Sequence, residues 1–192
     1  MHDGEVVRVR PVEARDEKAV WTFLDHLSLE SRCGRFFTAA PDLSRAVHWA
    51  NEANPDRAGL VAETAFGEIV GHGVFVRARG QSAEVAFEVA EDHRRRGLAG
   101  APLDRLAGAA RDLGITFLQA YVLPENADML SVFRDHFPTQ EQTRDGVICV
   151  TIPIAEPSTG PHGNAPAPVE QRDSRMVLGV PGRKRLLKVT RQ

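Results

Sequence analysis

Cysteine is scarce in this chain of 192 residues: only Cys33 and Cys149 occur, with no Cys-x-x-Cys pair and no histidine at ligand spacing from either. That excludes a disulfide framework and argues against a zinc site or any other metal site, leaving both as small core residues suited to a reducing compartment. Lysine is also rare, with Lys18, Lys184 and Lys188 set against a large excess of arginine. No stretch approaches the roughly 18 consecutive apolar residues that span a bilayer. The opening Met1-His2-Asp3-Gly4-Glu5 lacks the positive flank and apolar core of a secretory signal, so the expectation is a cytoplasmic protein with no membrane partner. What is present, 42% hydrophobic and 26% charged residues, describes one globular domain. At this size it can bury a core without disulfides or a structural metal.

The formal charge of -2 hides an asymmetry. Residues 155–192 carry seven Arg and Lys against three Asp and Glu, a net +4, which leaves -6 on residues 1–154. Past Ile154 the chain turns rich in Pro, Gly and small polar residues, a composition that buries too little apolar surface to offset the entropy of ordering it. The reading is a folded domain over 1–154 and a disordered tail over 155–192 that ends in a basic segment. A solvated tail is the ordinary reading of that segment, and docking on nucleic acid or another acidic surface is the alternative. No internal repeat is visible.

Periodicity divides the domain into elements. Val6 to Arg10 alternates and stops at Pro11, a first strand, while Arg15 to Leu27 places Ala19, Val20, Phe23, Leu24 and Leu27 on one helical face. Ser28 to Phe37 reads as a second helix and Asp42 to Ala53, with Asp42 at the cap, as a third. Three β-rich segments, 59–64, 68–76 and 83–89, are separated by turn residues in the manner of an antiparallel meander. A helix over 97–113, a strand over 115–123, a helix over 125–135 and a last strand over 146–152 complete the domain. Helices and strands in this order predict an α/β (α+β) fold, a mixed, mostly antiparallel sheet of about six strands flanked by helices.

The chemistry concentrates where the third meander strand meets the next helix, in Glu84-Val-Ala-Phe-Glu-Val-Ala-Glu-Asp-His-Arg94-Arg95-Arg96-Gly97-Leu98-Ala99-Gly100. A strand enters a basic, glycine-containing turn and a helix leaves it. Such a turn aims backbone N–H groups, the positive end of a helix and guanidinium groups at one spot, which suits a pyrophosphate. Neither a GxxxxGK[ST] loop nor a GxGxxG after the first strand occurs, which excludes a P-loop and a dinucleotide fold. Three adjacent arginines alone would be a solvated charge run.

The turn matches R-x-x-G-x-A, and with it the sequence resembles the Gcn5-related N-acetyltransferase (GNAT) family. The resemblance extends over residues 5–154: the strand Ala83-Glu84-Val85-Ala86-Phe87 precedes the turn, and a later strand leads into a helix headed by Asn126. The segments Val9-Arg-Pro-Val, Leu27 to Phe37 and Leu43-Ser are similar to the acetyltransferase domains of bacterial Pat-type protein lysine acetyltransferases. The resemblance implies acetyl-CoA as co-substrate. It implies that backbone groups of Phe87, Glu88 and Val89 pair with the pantetheine amides, that Arg95, Arg96, Gly97, Leu98, Ala99 and Gly100 hold the pyrophosphate, and that Asn126 bonds the pantetheine arm, with an arginine such as Arg94 reaching a further phosphate. It also places Glu84 as the general base.

An alkyl amine with a pKa near 10.4 is free base only on the order of one part in a thousand at neutral pH, so attack on a thioester benefits from a base. Glu84 is that candidate and Glu88, of the same strand parity, the runner-up; a surface-strand glutamate is the plain alternative. Glu91 and Asp92 read as solvated loop residues. Many members of the family carry a tyrosine where this chain has Phe133, which has no proton to give the departing thiolate. His136 is a weak alternative acid, otherwise an exposed helix-end histidine. His72, between two glycines, reads as lying near the site, and Trp21, Phe36, Phe37 and Trp49 read mostly as core. The acceptor is an amine, with a protein lysine such as that of an acyl-CoA synthetase preferred to a small metabolite. The alternatives are a small-molecule amine transferase or a regulatory acyl-CoA-binding module without turnover. A monomer or a homodimer paired at a sheet edge fits the domain.

Overall fold

The computed structural model describes residues 6–51, 54–94 and 100–154. Strand β1 (Val7–Pro11) leads through a 3-10 turn (Ala14–Asp16) into helices α1 (Glu17–His26), α2 (Leu29–Phe36) and α3 (Leu43–Asn51). Strands β2 (Arg57–Thr64), β3 (Ile69–Arg77) and β4 (Ser82–Val89) form the meander. Helix α4 (Gly100–Asp112), β5 (Phe117–Val122), α5 (Ala127–His136) and the hairpin of β6 (Gln140–Arg144) and β7 (Val147–Pro153) complete the domain. Local chemistry sets several of these limits. The Ser28 hydroxyl accepts the Ser31 N–H at 3.1 Å and starts α2, and Phe37, at φ 55°, ends it. Asp42 accepts the Arg45 N–H at 3.0 Å before α3.

The sheet runs β1-β2-β3-β4-β5-β7-β6, antiparallel throughout except for the parallel pair β4 and β5, which α4 connects. It has seven strands rather than six. The additional one, β6, is exposed along its whole length and so has no apolar alternation. Its signal lay in Asp145-Gly146, both at positive φ (50° and 78°), the backbone pattern that closes a two-residue hairpin.

Two apolar layers sandwich the sheet. On one face Val85 and Phe87 of β4 pack with Leu103 and Leu106 of α4 and with Leu130 and Phe133 of α5. On the other, Val61 and Ile69 pack with Val20, Phe23 and Leu24 of α1, Phe36 of α2 and Val47 of α3. The face of α1 is therefore as expected except that Ala19 is exposed and Trp21 lies 38% exposed, away from the core. Leu113 is likewise at the surface, one residue past the end of α4.

Gly73 shows how closely α4 meets the sheet. A Cβ there would fall 2.8 Å from Leu106 Cδ1 and 3.1 Å from Phe87 Cβ, so Gly73→Ala forces two buried side chains apart. The variant should lose about 1–3 kcal/mol, the usual range for an overpacked core. Urea denaturation checks this, and an unchanged midpoint would show that Leu106 turns aside without strain.

At the first sheet edge, Arg10 is buried and its guanidinium meets both oxygens of Asp16, at 2.6 Å and 2.9 Å, and Glu63 Oε2 at 2.8 Å. Asp16 Oδ2 also accepts the Glu13 N–H at 2.8 Å. The side-chain bond from Arg10 holds the Asp16 carboxyl below its ordinary range against the opposing effect of burial.

Candidate functional site

Strands β4 and β5 pair only at Ser82–Phe117, Ala83–Leu118 and Glu84–Gln119, and then diverge. On its other edge β4 stays bonded to β3 along its length. The Ala90 N–H bonds to the Val70 carbonyl at 2.8 Å, and antiparallel alternation then turns the backbone groups of Phe87 and Val89 away from β3 and toward the opening. The Val89 groups are used locally, its N–H by Glu88 Oε1 at 3.2 Å and its carbonyl by Arg94 Nε at 3.0 Å. Those of Phe87 face the gap.

Two cavities occupy this gap and share Phe87, Glu88, Asn126 and Met129, so together they form one slot through the sheet. The inner end is lined by Glu84, Arg35, Phe37, Tyr121 and Phe133. The outer end is lined by Ser31, Glu30, Arg94, Asp128 and Val132. Asn126 Oδ1 is engaged as the cap of α5, accepting the Met129 N–H at 3.2 Å. Its Nδ2 lies against Gly34 of α2, where a Cβ would approach it to 3.2 Å. Phe133 is fully buried and meets the Phe87 ring edge-on, with centroids 5.7 Å apart and planes at 85°.

Alternation along β4 sends Glu84 and Glu88 to the face opposite Val85 and Phe87, under α2. Both carboxylates are buried, Glu84 at 3% and Glu88 at 5% exposure. Burial pushes the Glu88 carboxyl above its ordinary range, opposed by Arg94, whose Nη2 donates to Oε1 at 2.9 Å. Arg94 Nη2 also donates to the Ser31 hydroxyl at 2.6 Å, tying the end of β4 to α2. Glu91 belongs to the same network rather than to solvent. It accepts the Ser28 N–H at 3.0 Å and the Ser31 hydroxyl at 2.5 Å. Partial burial alone would raise its carboxyl, but these bonds bring it down to about 2.

A family model for the acetyltransferase (GNAT) family matches residues 21–137, a span running from α1 to the end of α5 and containing every strand and helix of the slot. The chain belongs to the GNAT family. Among solved structures it is similar to the GNAT domain of PAT from S. lividans, at 34% identity and a TM-score of 0.71, covering 79% of this chain and 93% of that one. It also resembles yncA from Salmonella typhimurium, a structure with its cofactor acetyl-CoA, at 17% identity and a TM-score of 0.63, over 80% of this chain and 96% of that one. A cAMP-binding acyltransferase from Mycobacterium smegmatis matches at 24% identity and a TM-score of 0.57, covering 83% of this chain and 47% of that one. A search of curated proteins gives no match.

In this GNAT domain the structure brings Glu84, Phe87, Glu88 and Asn126 together around one slot, with Val89 and Arg94 at its outer end. Gly100 opens α4. Arg95, Arg96, Gly97, Leu98 and Ala99 lie outside the described residues, as do the whole tail from 155 to 192 and the Trp49 side chain. His136 does not enter the slot. Its Nδ1 meets the Val132 carbonyl at 2.9 Å, and its ring covers the start of α4 so closely that a Cβ on Gly100 would fall 2.0 Å from Nε2. His72 pairs across β3 with Glu88 but is buried beneath it, and burial drives its pKa down to about 3, so it stays neutral. Phe36 is core and Phe37 lines the slot. Among the described residues no group of three or more His, Cys, Asp or Glu is placed to hold a metal ion, and no helix is long and apolar enough to cross a membrane.

Sequence reasoning missed Arg35 and Tyr121, two polar residues at the inner end of the slot. A signal for the first existed: Ser31 and Arg35 stand four apart and share the face of α2 that meets β4, and both are buried.

Proposed function

We propose that this domain transfers an acetyl or short acyl group from acetyl-CoA to a primary amine, with a protein lysine as the acceptor and Glu84 as general base. The observation that carries the reading is the buried Glu84 carboxylate at the point where β4 and β5 part, beside the open backbone of Phe87. The slot suits a pantetheine arm: Phe87 offers an N–H and a carbonyl to its amides, and Asn126 Nδ2 stands at its side. The basic, glycine-containing sequence Arg94-Arg95-Arg96-Gly97 suits the pyrophosphate.

Glu84 takes a proton from the incoming ammonium, directly or through a water. The freed nitrogen attacks the thioester carbonyl carbon, and the oxyanion that forms is stabilised by a backbone N–H of β4. Collapse breaks the C–S bond. The second proton on nitrogen reaches the leaving thiolate through water, because Phe133 has none to give, and the proton on Glu84 returns to solvent. The products are an amide, the coenzyme A thiol and one proton.

A lysine acceptor is supported by the 34% likeness to the S. lividans PAT domain and by the exposed Glu30 and Asp128 at the outer end of the slot. Thiol release from acetyl-CoA, measured with lysine-bearing proteins such as acyl-CoA synthetases and with a panel of small amines, tests the reading. Release that depends on a protein acceptor supports it. Release with small amines alone would make the domain a metabolite transferase, and coenzyme A binding without release across the panel would make it a binding module.

A further inference from the structure

Arg35 is an arginine with 5% exposure whose charge faces two carboxylates inside a substrate slot. Its backbone belongs to α2, on the sheet face that carries Glu84 and Glu88, and Phe36 beside it joins the apolar layer of that face. Burial lowers the pKa of the guanidinium to about 10 against the opposing pull of Glu88 and Glu84, which still leaves it a cation at neutral pH.

On α2 itself, Glu30 stands exposed at the outer end of the slot. On β4, Glu88 is held by Arg94 at 2.9 Å and by the Val89 N–H at 3.2 Å. Arg94 and Glu91, beyond the end of that strand, are tied to Ser31 at the head of α2. On β3, His72 stays neutral. On β5, Tyr121 lines the inner end, and Asp128 of α5 lies at the outer end. Arg35 is thus the cation at the inner end that faces Glu84 among the described residues.

We propose that Arg35 is a positioning residue that keeps the buried Glu84 carboxylate ionised at neutral pH, and so keeps it able to accept a proton. This rests on the transferase reading only for its consequence in turnover. Burial favours a protonated Glu84, and a base already protonated accepts nothing. An opposite charge in the same buried cavity acts the other way, and close pairs typically lower a carboxyl pKa by about one to three units.

Carboxyl carbon NMR titration of the free protein, with resonances assigned through Glu84→Gln and Glu88→Gln, reads the effect without turnover. In wild type Glu84 should titrate below neutrality. Arg35→Met should raise its midpoint by about one unit or more, tenfold or more in the proton equilibrium, and Arg35→Lys should restore most of the difference. The acid limb of kcat/KM for the acceptor should move with it while KM for acetyl-CoA holds. A wild-type Glu84 midpoint above 7 overturns the proposal with no variant needed, as does an unmoved midpoint in a natively folded Arg35→Met. A midpoint that follows Arg35 in a protein with no amine-dependent thiol release upholds the electrostatic assignment and removes the transferase reading.

Discussion

Glu84→Gln should lower the rate of acetyl transfer by about 10²–10⁴-fold, the range associated with losing a general base. The substitution keeps the size and hydrogen-bonding shape of the side chain and removes only its capacity to take a proton. Glu84 emerges from the sheet on the face opposite Phe87, whose backbone lines the gap, so the affinity for acetyl-CoA should stay within a few-fold of wild type. Steady-state kinetics together with calorimetric titration of acetyl-CoA separate the two quantities. If kcat falls with binding intact, the carboxylate acts on the amine; if the rate is unchanged, Glu88 or bulk water takes the proton. If affinity collapses as well, the side chain is holding the slot open and its role is structural.

Asp16→Ala should have the largest effect on stability, about 3 kcal/mol, because it leaves the buried Arg10 guanidinium with only Glu63 to balance its charge and the Pro11 carbonyl to accept from it. The remaining partner places the cost toward the lower end of what breaking a buried pair entails. The pH dependence has a definite sign. Arg10 depresses the folded-state pKa of Asp16, and also that of the more exposed Glu63. Their contribution is therefore complete above the unfolded value near 4 and disappears as pH falls through the depressed folded values. Chemical denaturation from pH 7 down to pH 2 should show the difference between wild type and Asp16→Ala shrinking over the acid end of that range. A constant difference would mean that the alanine acts through lost packing alone.

Much of the slot was legible before the fold was known, because the informative residues are local. Strand β4 and helix α4 bracket the basic segment of 94–99 as its sequence suggests, and Asn126 heads its helix as its type and position suggest. What escaped depends on neighbours distant in sequence. The spacing of Ser31 and Arg35 marks a shared face of α2, but only β4, some fifty residues later, brings Glu84 and Glu88 to it. Trp21 reads as core from its aromatic character, but α1 turns Val20, Phe23 and Leu24 inward and leaves it outside. Glu91 looks like a loop carboxylate, and only the return of α2 over the sheet supplies Ser28 and Ser31 as its donors. Strand β6 carries no apolar face because it borders solvent on both sides, so hydrophobic alternation had nothing to report.

The short parallel contact between β4 and β5 also makes the acyl donor part of the architecture. Three residue pairs are all the ladder that joins β1–β4 to β5–β7, and beyond them the seam lies open. On the proposed reading, a pantetheine arm seated there, bonded to Phe87 on one bank and to Asn126 on the other, would stitch the two sheet halves together like a missing strand. Substrate occupancy then becomes folding energy: the thermal midpoint should climb with the logarithm of donor concentration once that exceeds the dissociation constant, and the seam's amide protons should become the ones most slowed in exchange.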